Sequence, residues 1–194
     1  SGEGSSSSSI ELPAGQREMI AAVKDYGVPL VLVVLTGRPL AITREVRLAD
    51  AVLYCWHPGV EGGRGIADLL FGRAVPSAKL PITLPRAQGQ IPVYYNRHNT
   101  GRPGLPQATF CSRYIDLPIG PLFPFGYGLS YTTFAYANLK IEQAAMKGDR
   151  NRITAEVTNT GSVEGTEIAQ LYVRDLVRSV TPPLRELKGF ERLT

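Results

Sequence analysis

Apolar and polar positions follow three different rhythms along this chain. Residues 14–27, AGQREMIAAVKDYG, come after Pro13 and carry Ile20, Val23 and Lys24 before Gly27 stops them, which predicts a helix. Residues 28–35, VPLVLVVL, are apolar throughout and rich in β-branched side chains. That pattern predicts a strand covered on both faces, as in a parallel sheet. Thr36-Gly37-Arg38-Pro39 ends it in a turn, and the short run LAI leads into a polar connection. Residues 51–56, AVLYCW, predict a second buried strand. Pro58-Gly59 turns the chain, and Glu61-Gly62-Gly63 opens a helix that Gly72 closes. Helix, strand, turn, strand, turn, helix is the grammar of an α/β domain with parallel strands.

From residue 76 to 125 the rhythm is lost. Pro and Gly are dense, and Ile91-Pro92-Val93-Tyr94-Tyr95 reads as extended. So long a loop in a compact protein is functional or connects domains. From Tyr131 onward the period becomes two. FAYANLKI, RITAEVTNTG (with Ile153, Ala155 and Val157 on one face), EIAQLYVRD and LRELKGFERL predict short strands separated by turns. They argue for a β-sandwich of immunoglobulin or fibronectin type, with about half of its roughly seven strands present. Residues beyond Thr194 are expected to complete it.

Composition changes this picture little. The chain has 194 residues, 43% apolar and 20% charged, which suits a packed globular protein. No run of eighteen apolar residues suggests a membrane helix. The net charge is +4, but acidic residues are interleaved with the basic ones. No Lys/Arg stripe tracks phosphates, so neither nucleic acid nor an anionic membrane is an expected partner. The two cysteines, Cys55 and Cys111, match no metal spacing, and Cys55 reads as a buried thiol at the end of a strand.

Candidate chemistry is sparse when read residue by residue. Residues 5–9, SSSSS, are low complexity and read as a flexible linker, and Glu3 before them reads as a solvated terminal carboxylate. Glu61 suits the positive end of the helix it precedes. His57 follows a strand and reads as a turn cap, and His98 lies in the polar loop NRHNTGRP. The serine run has no His or Asp pattern to activate a nucleophile. Gly62-Gly63 lacks the spacing of a phosphate loop.

Several strings, in order, resemble family 3 glycoside hydrolases of the periplasmic β-glucosidase kind. They are SGE, LPAGQREMI, PLVLVVLTGRPLAI, ADAVLYCWHPGVEGGRGIADLLFG, PSAKLPITLPR, GQIPVYYNRHNTGRP, SRYIDLPIGPLFPFGYGLSYTTFAY, VTNTGSVEGTEIAQLYVRD and LKGFERL. FPFGYGLSYTTF is the most specific of them, and the set covers nearly the whole chain.

The resemblance implies a TIM-like barrel with a nucleophilic aspartate, then an α/β sandwich with an acid/base glutamate, then a fibronectin type III-like domain. On that basis residues 1–88 are expected to be part of the α/β sandwich. Residues 89–130 would be the long connector, and 131–194 an incomplete fibronectin type III-like domain. The implied activity is retaining hydrolysis of terminal β-D-glucosyl residues, without metal or other cofactor. The implied partners are a β-glucoside or oligosaccharide and the barrel of the same protein, in the periplasm or secreted. No barrel pattern precedes Ser1, so the chain alone is expected to be inactive.

Glu3 falls where the family places its acid/base. A retaining glycosidase pairs such a residue with a nucleophile about 5 Å away and must keep it protonated. Relatives often carry an arginine where this chain has Ser7. In the NTGRP segment, Asn99 and Arg102 are the implied contacts to sugar hydroxyls, and Trp56 is a possible stacking platform. A non-catalytic carbohydrate-binding module, or a β-xylosidase or N-acetylglucosaminidase on the same frame, are the alternatives.

Overall fold

The computed structural model describes residues 4–102, 110–142, 151–177 and 179–194. The first part is α/β. Helix α1 (Ala14–Asp25) starts at Pro13, whose φ of −53° suits a helix entry, and stops before Gly27, whose φ of +71° takes the chain out of helical conformation. Strands β1 (Val31–Leu35) and β2 (Ala51–Trp56) pair in parallel, Val31 opposite Ala51. Asp50 locks their start: its carboxylate accepts from the Leu30 N–H at 2.8 Å and from Lys24 at 2.9 Å. Those two bonds, the Leu30 one first, hold the carboxyl below its ordinary pKa.

Two expectations need correction here. The polar connection between the strands contains a helix, α2 (Thr43–Leu48). Its TREVRL sequence hides it because Glu45 points inward and is only 2% exposed. Arg17 from α1 meets that charge at 3.3 Å, so a residue that reads as surface is buried and paired. The second correction concerns β1, which is shorter than the 28–35 run. Val34 is buried, yet Val31 and Leu35 are about half exposed. Among the described residues β1 has one sheet neighbour, β2.

The core of this part gathers Val34, Leu40 and Ile42, packed by Leu12, Leu32, Val46, Val52 and Leu122. Helix α3 (Gly62–Leu70) closes the α/β part, stopped by Gly72 at φ +71°. The connector that follows is irregular but ordered by specific bonds. Residues 80 to 84 run beside 122 to 127, with Leu84 N–H donating to Phe123 O at 2.8 Å and Gly126 N–H to Leu80 O at 2.8 Å. Gln90, 4% exposed, accepts from Arg86 N–H and donates to Pro118 O and Gly120 O, so one buried amide organises both limbs.

Among the described residues the last third forms only strands, as its period-two pattern predicts. Strands β3 (Phe134–Glu142) and β4 (Arg152–Asn159) form one antiparallel pair, and β5 (Glu167–Val173) and β6 (Glu186–Leu193) another. Of the three residues expected on one face of β4, Ile153 and Val157 are half-buried and Ala155 is exposed. Lys79, in the irregular stretch after α3, donates to Gly128 O of the connector at 3.1 Å and to the Glu167 carboxylate of β5 at 3.0 Å. Tyr136 of β3 donates to the other Glu167 oxygen at 2.9 Å, so one carboxylate ties the connector to both β-pairs.

Candidate functional site

Because β1 and β2 are parallel, their carboxyl ends lie side by side. Ligands of open α/β sheets bind outside such ends. Thr36 N–H donates to Trp56 O at 3.1 Å and joins the two ends. Trp56 has φ 54°, a left-handed conformation uncommon outside glycine, and this turns the chain out of the sheet. Its ring meets Tyr54 edge-on at 4.7 Å. The exposed His57 ring lies over Gly37, where a Cβ would push the imidazole aside, so His57 sits against the turn.

The turn also presents Arg38. Its guanidinium donates to the Ser7 carbonyl at 2.8 Å and to the Ser9 carbonyl at 2.7 Å. A planar fork bound to two backbone oxygens fixes the serine-rich segment far better than one contact would. Arg38 is itself held from below. The Tyr54 hydroxyl donates to Arg38 O at 2.8 Å and accepts from Leu40 N–H at 3.1 Å. The segment is pinned again further along. Ala41 N–H donates to Ile10 O at 2.9 Å, Ile10 is buried, and Arg17 links Glu11 to Glu45. The serine run, which reads as a flexible tether from composition alone, therefore lies across the carboxyl ends of the sheet under three separate restraints.

Burial pushes the Tyr54 hydroxyl up to about 12, against a smaller opposing effect of the Leu40 N–H. A phenol whose pKa is raised on folding stabilises the protein below about pH 10, and that contribution is lost as pH rises toward 12. In a spectrophotometric titration, Tyr54→Phe should therefore remove one tyrosinate from the late step near pH 12. Loss of an early-titrating tyrosine instead would show that the hydroxyl is not enclosed.

The other candidates divide clearly. Glu3 lies outside the described residues. Asn99 and Arg102 are exposed in the connector. The Arg102 backbone accepts from Ser112 N–H at 3.1 Å, and among the described residues no hydrogen bond or ion pair joins either side chain to the serine segment. His98 contacts Thr181 O at 3.0 Å and belongs to a bridge with Pro183, so it joins the connector to the β part. Glu61 occupies the N-cap position of α3 and is exposed. Cys55 is a free, half-buried thiol, and burial raises its pKa. No cluster of metal-ligating side chains occurs among the described residues. The residue that sequence reasoning passes over is Arg38. Its signal was position, since a GRP turn directly after a parallel-strand run stands at the ligand-binding edge of the sheet.

This is the architecture of an accessory α/β domain joined to a β-domain, with a strapped loop at the strand ends. Residues 1–131 match the glycosyl hydrolase family 3 C-terminal domain, and residues 167–194 match a fibronectin type III-like domain. The chain belongs to glycoside hydrolase family 3. It is 50% identical to the periplasmic beta-glucosidase of Salmonella typhimurium over 196 residues, covering 99% of this chain and 26% of that protein. It is 42% identical to the xylan 1,4-beta-xylosidase of Xylanibacter ruminicola, covering 98% of this chain and 21% of that protein. Among solved structures, the beta-glucosidase from Listeria innocua in complex with glucose superposes with a TM-score of 0.93 at 38% identity, covering 99% of this chain and 27% of that one. The chain thus spans about a quarter of the length of these relatives. No described helix is long and apolar enough to cross a membrane.

Proposed function

We propose that this chain supplies the acid/base side of a retaining β-glucosidase, with Glu3 as the proton donor. One observation carries the reading: the Arg38 fork holds the Ser7 and Ser9 carbonyls at the carboxyl ends of β1 and β2, so the segment leaving Glu3 is fixed, not free. In the first step Glu3 gives its proton to the glycosidic oxygen as the bond breaks. A carboxylate from the barrel takes the anomeric carbon. In the second step Glu3, now ionised, removes a proton from the water that releases the sugar. Asn99 and Arg102 are assigned to sugar hydroxyls from the connector. The domains divide at residues 88 and 130, and the protein works in the periplasm or outside the cell, as the name of the Salmonella relative suggests.

Arg38 is a positioning residue in this scheme. In the complete protein, Arg38→Ala should lower kcat on poor-leaving-group β-glucosides by up to about a hundredfold, because a misplaced catalytic group costs that much. Activated aryl glucosides, which leave without a proton, should be much less affected. Equal loss on both substrate types would mean that Arg38 only stabilises the fold, and the reading would fall. A β-xyloside reading is favoured by the 42% identical xylosidase. Comparing kcat/KM on aryl β-glucosides and β-xylosides decides between the two sugars.

A further inference from the structure

A cleft of about 510 Å³ opens between the connector and the second β-pair. Its aromatic wall is preformed. Tyr94, Tyr95 and Tyr172 line it; Tyr95 meets Tyr172 edge-on at 5.9 Å and is braced by Phe125, outside the lining, which stacks on it at 4.4 Å. The wall is braced, because Leu184 N–H donates to Arg97 O at 2.8 Å and Leu187 N–H to the Tyr95 hydroxyl at 3.4 Å. Three arginines face the cleft: Arg97 from the connector, Arg174 after β5 and Arg185 before β6. Arg185 is held 5.5 Å over the Tyr172 ring. No Asp or Glu lines the cleft, and none of the three arginines has an ion-pair partner among the described residues.

Three arginines lining one cleft, with no counter-charge among the described residues and beside tyrosine rings, fit a ligand that is both ring-shaped and anionic. A neutral sugar would use the rings and leave the charges idle. Nucleic acid needs an extended basic stripe, and the rest of this chain mixes its charges. The volume suits one or two rings. We propose that this cleft binds an acidic sugar, its pyranose face on the exposed Tyr94 ring and its carboxylate or phosphate on the arginines. No residue of the serine segment lines the cleft, and the proposal does not depend on the reading given for Glu3.

The test is calorimetric titration of the complete protein with glucuronic acid, glucose 6-phosphate, glucose and inorganic phosphate, repeated on Arg174→Met/Arg185→Met. Saturable binding of at least one acidic sugar is expected, falling about tenfold or more in the double variant, since charge-assisted bonds are worth at least that. Whichever acidic sugar binds tighter identifies the anion as carboxylate or phosphate. Glucose binding and hydrolysis should be unchanged, and so should Tm, because all three arginines are exposed. The proposal is overturned if neither acidic sugar binds, if the double variant binds them as well as the parent, or if inorganic phosphate alone binds as tightly as glucose 6-phosphate.

Discussion

Glu3→Gln in the complete protein is expected to slow hydrolysis of β-glucosides with poor leaving groups by about two to four orders of magnitude, the usual worth of a general acid. Substrates with activated aryl leaving groups should lose far less in the first step, because the departing phenolate needs no proton. Azide should then restore turnover, since an anionic nucleophile attacks the glycosyl-enzyme without a base. The pH profile carries an independent sign. A general acid works only while protonated, so activity of the parent falls as pH rises through its pKa. Glutamine has no proton to lose, and the basic limb should flatten. A Glu3 with a purely structural role would lower every substrate alike, through stability, and azide would do nothing. That result would move the acid to the barrel.

How much of this could be read from the chain itself depends on what each residue's partner is. The strands AVLYCW and EIAQLYV are legible because their periodicity is a local property, and so are the stops at Gly27 and Gly72, where φ is positive. Helix α2 is not legible, because its one inward side chain is Glu45, and only Arg17, 28 positions earlier, explains why a charge is buried there. The serine run misleads for a related reason. Its order comes from bonds to backbone carbonyls, which any sequence offers, and the donor, Arg38, is about 30 residues away. Composition describes SSSSS as a tether, and geometry makes it a strap. The arginine cleft is likewise assembled from residues 97, 174 and 185, whose separation leaves no motif to find.

Breaking the pair between Lys79 and Glu167 should produce the largest loss of stability. Their side chains are 16% and 11% exposed, so neither charge can be recovered by water without local opening. Lys79→Met leaves the carboxylate facing only the Tyr136 hydroxyl. Glu167→Leu leaves the ammonium with the Gly128 carbonyl alone. Each single change should cost about 3 kcal/mol, near the lower end for a buried pair, and lower Tm by roughly 6–12 °C. The double change, Lys79→Met with Glu167→Leu, should recover much of that loss, because it removes both buried charges and fills the space with apolar atoms. The Tyr136 hydroxyl then turns to water, which its half-exposed ring allows. Urea midpoints and slopes of the parent, both singles and the double give the coupling directly. Strong recovery in the double is expected; if the two single losses simply add, the contact contributes no coupling. The connector and the β-pairs would then have to be held by the Gln170 bond to Gly126 O and by apolar packing.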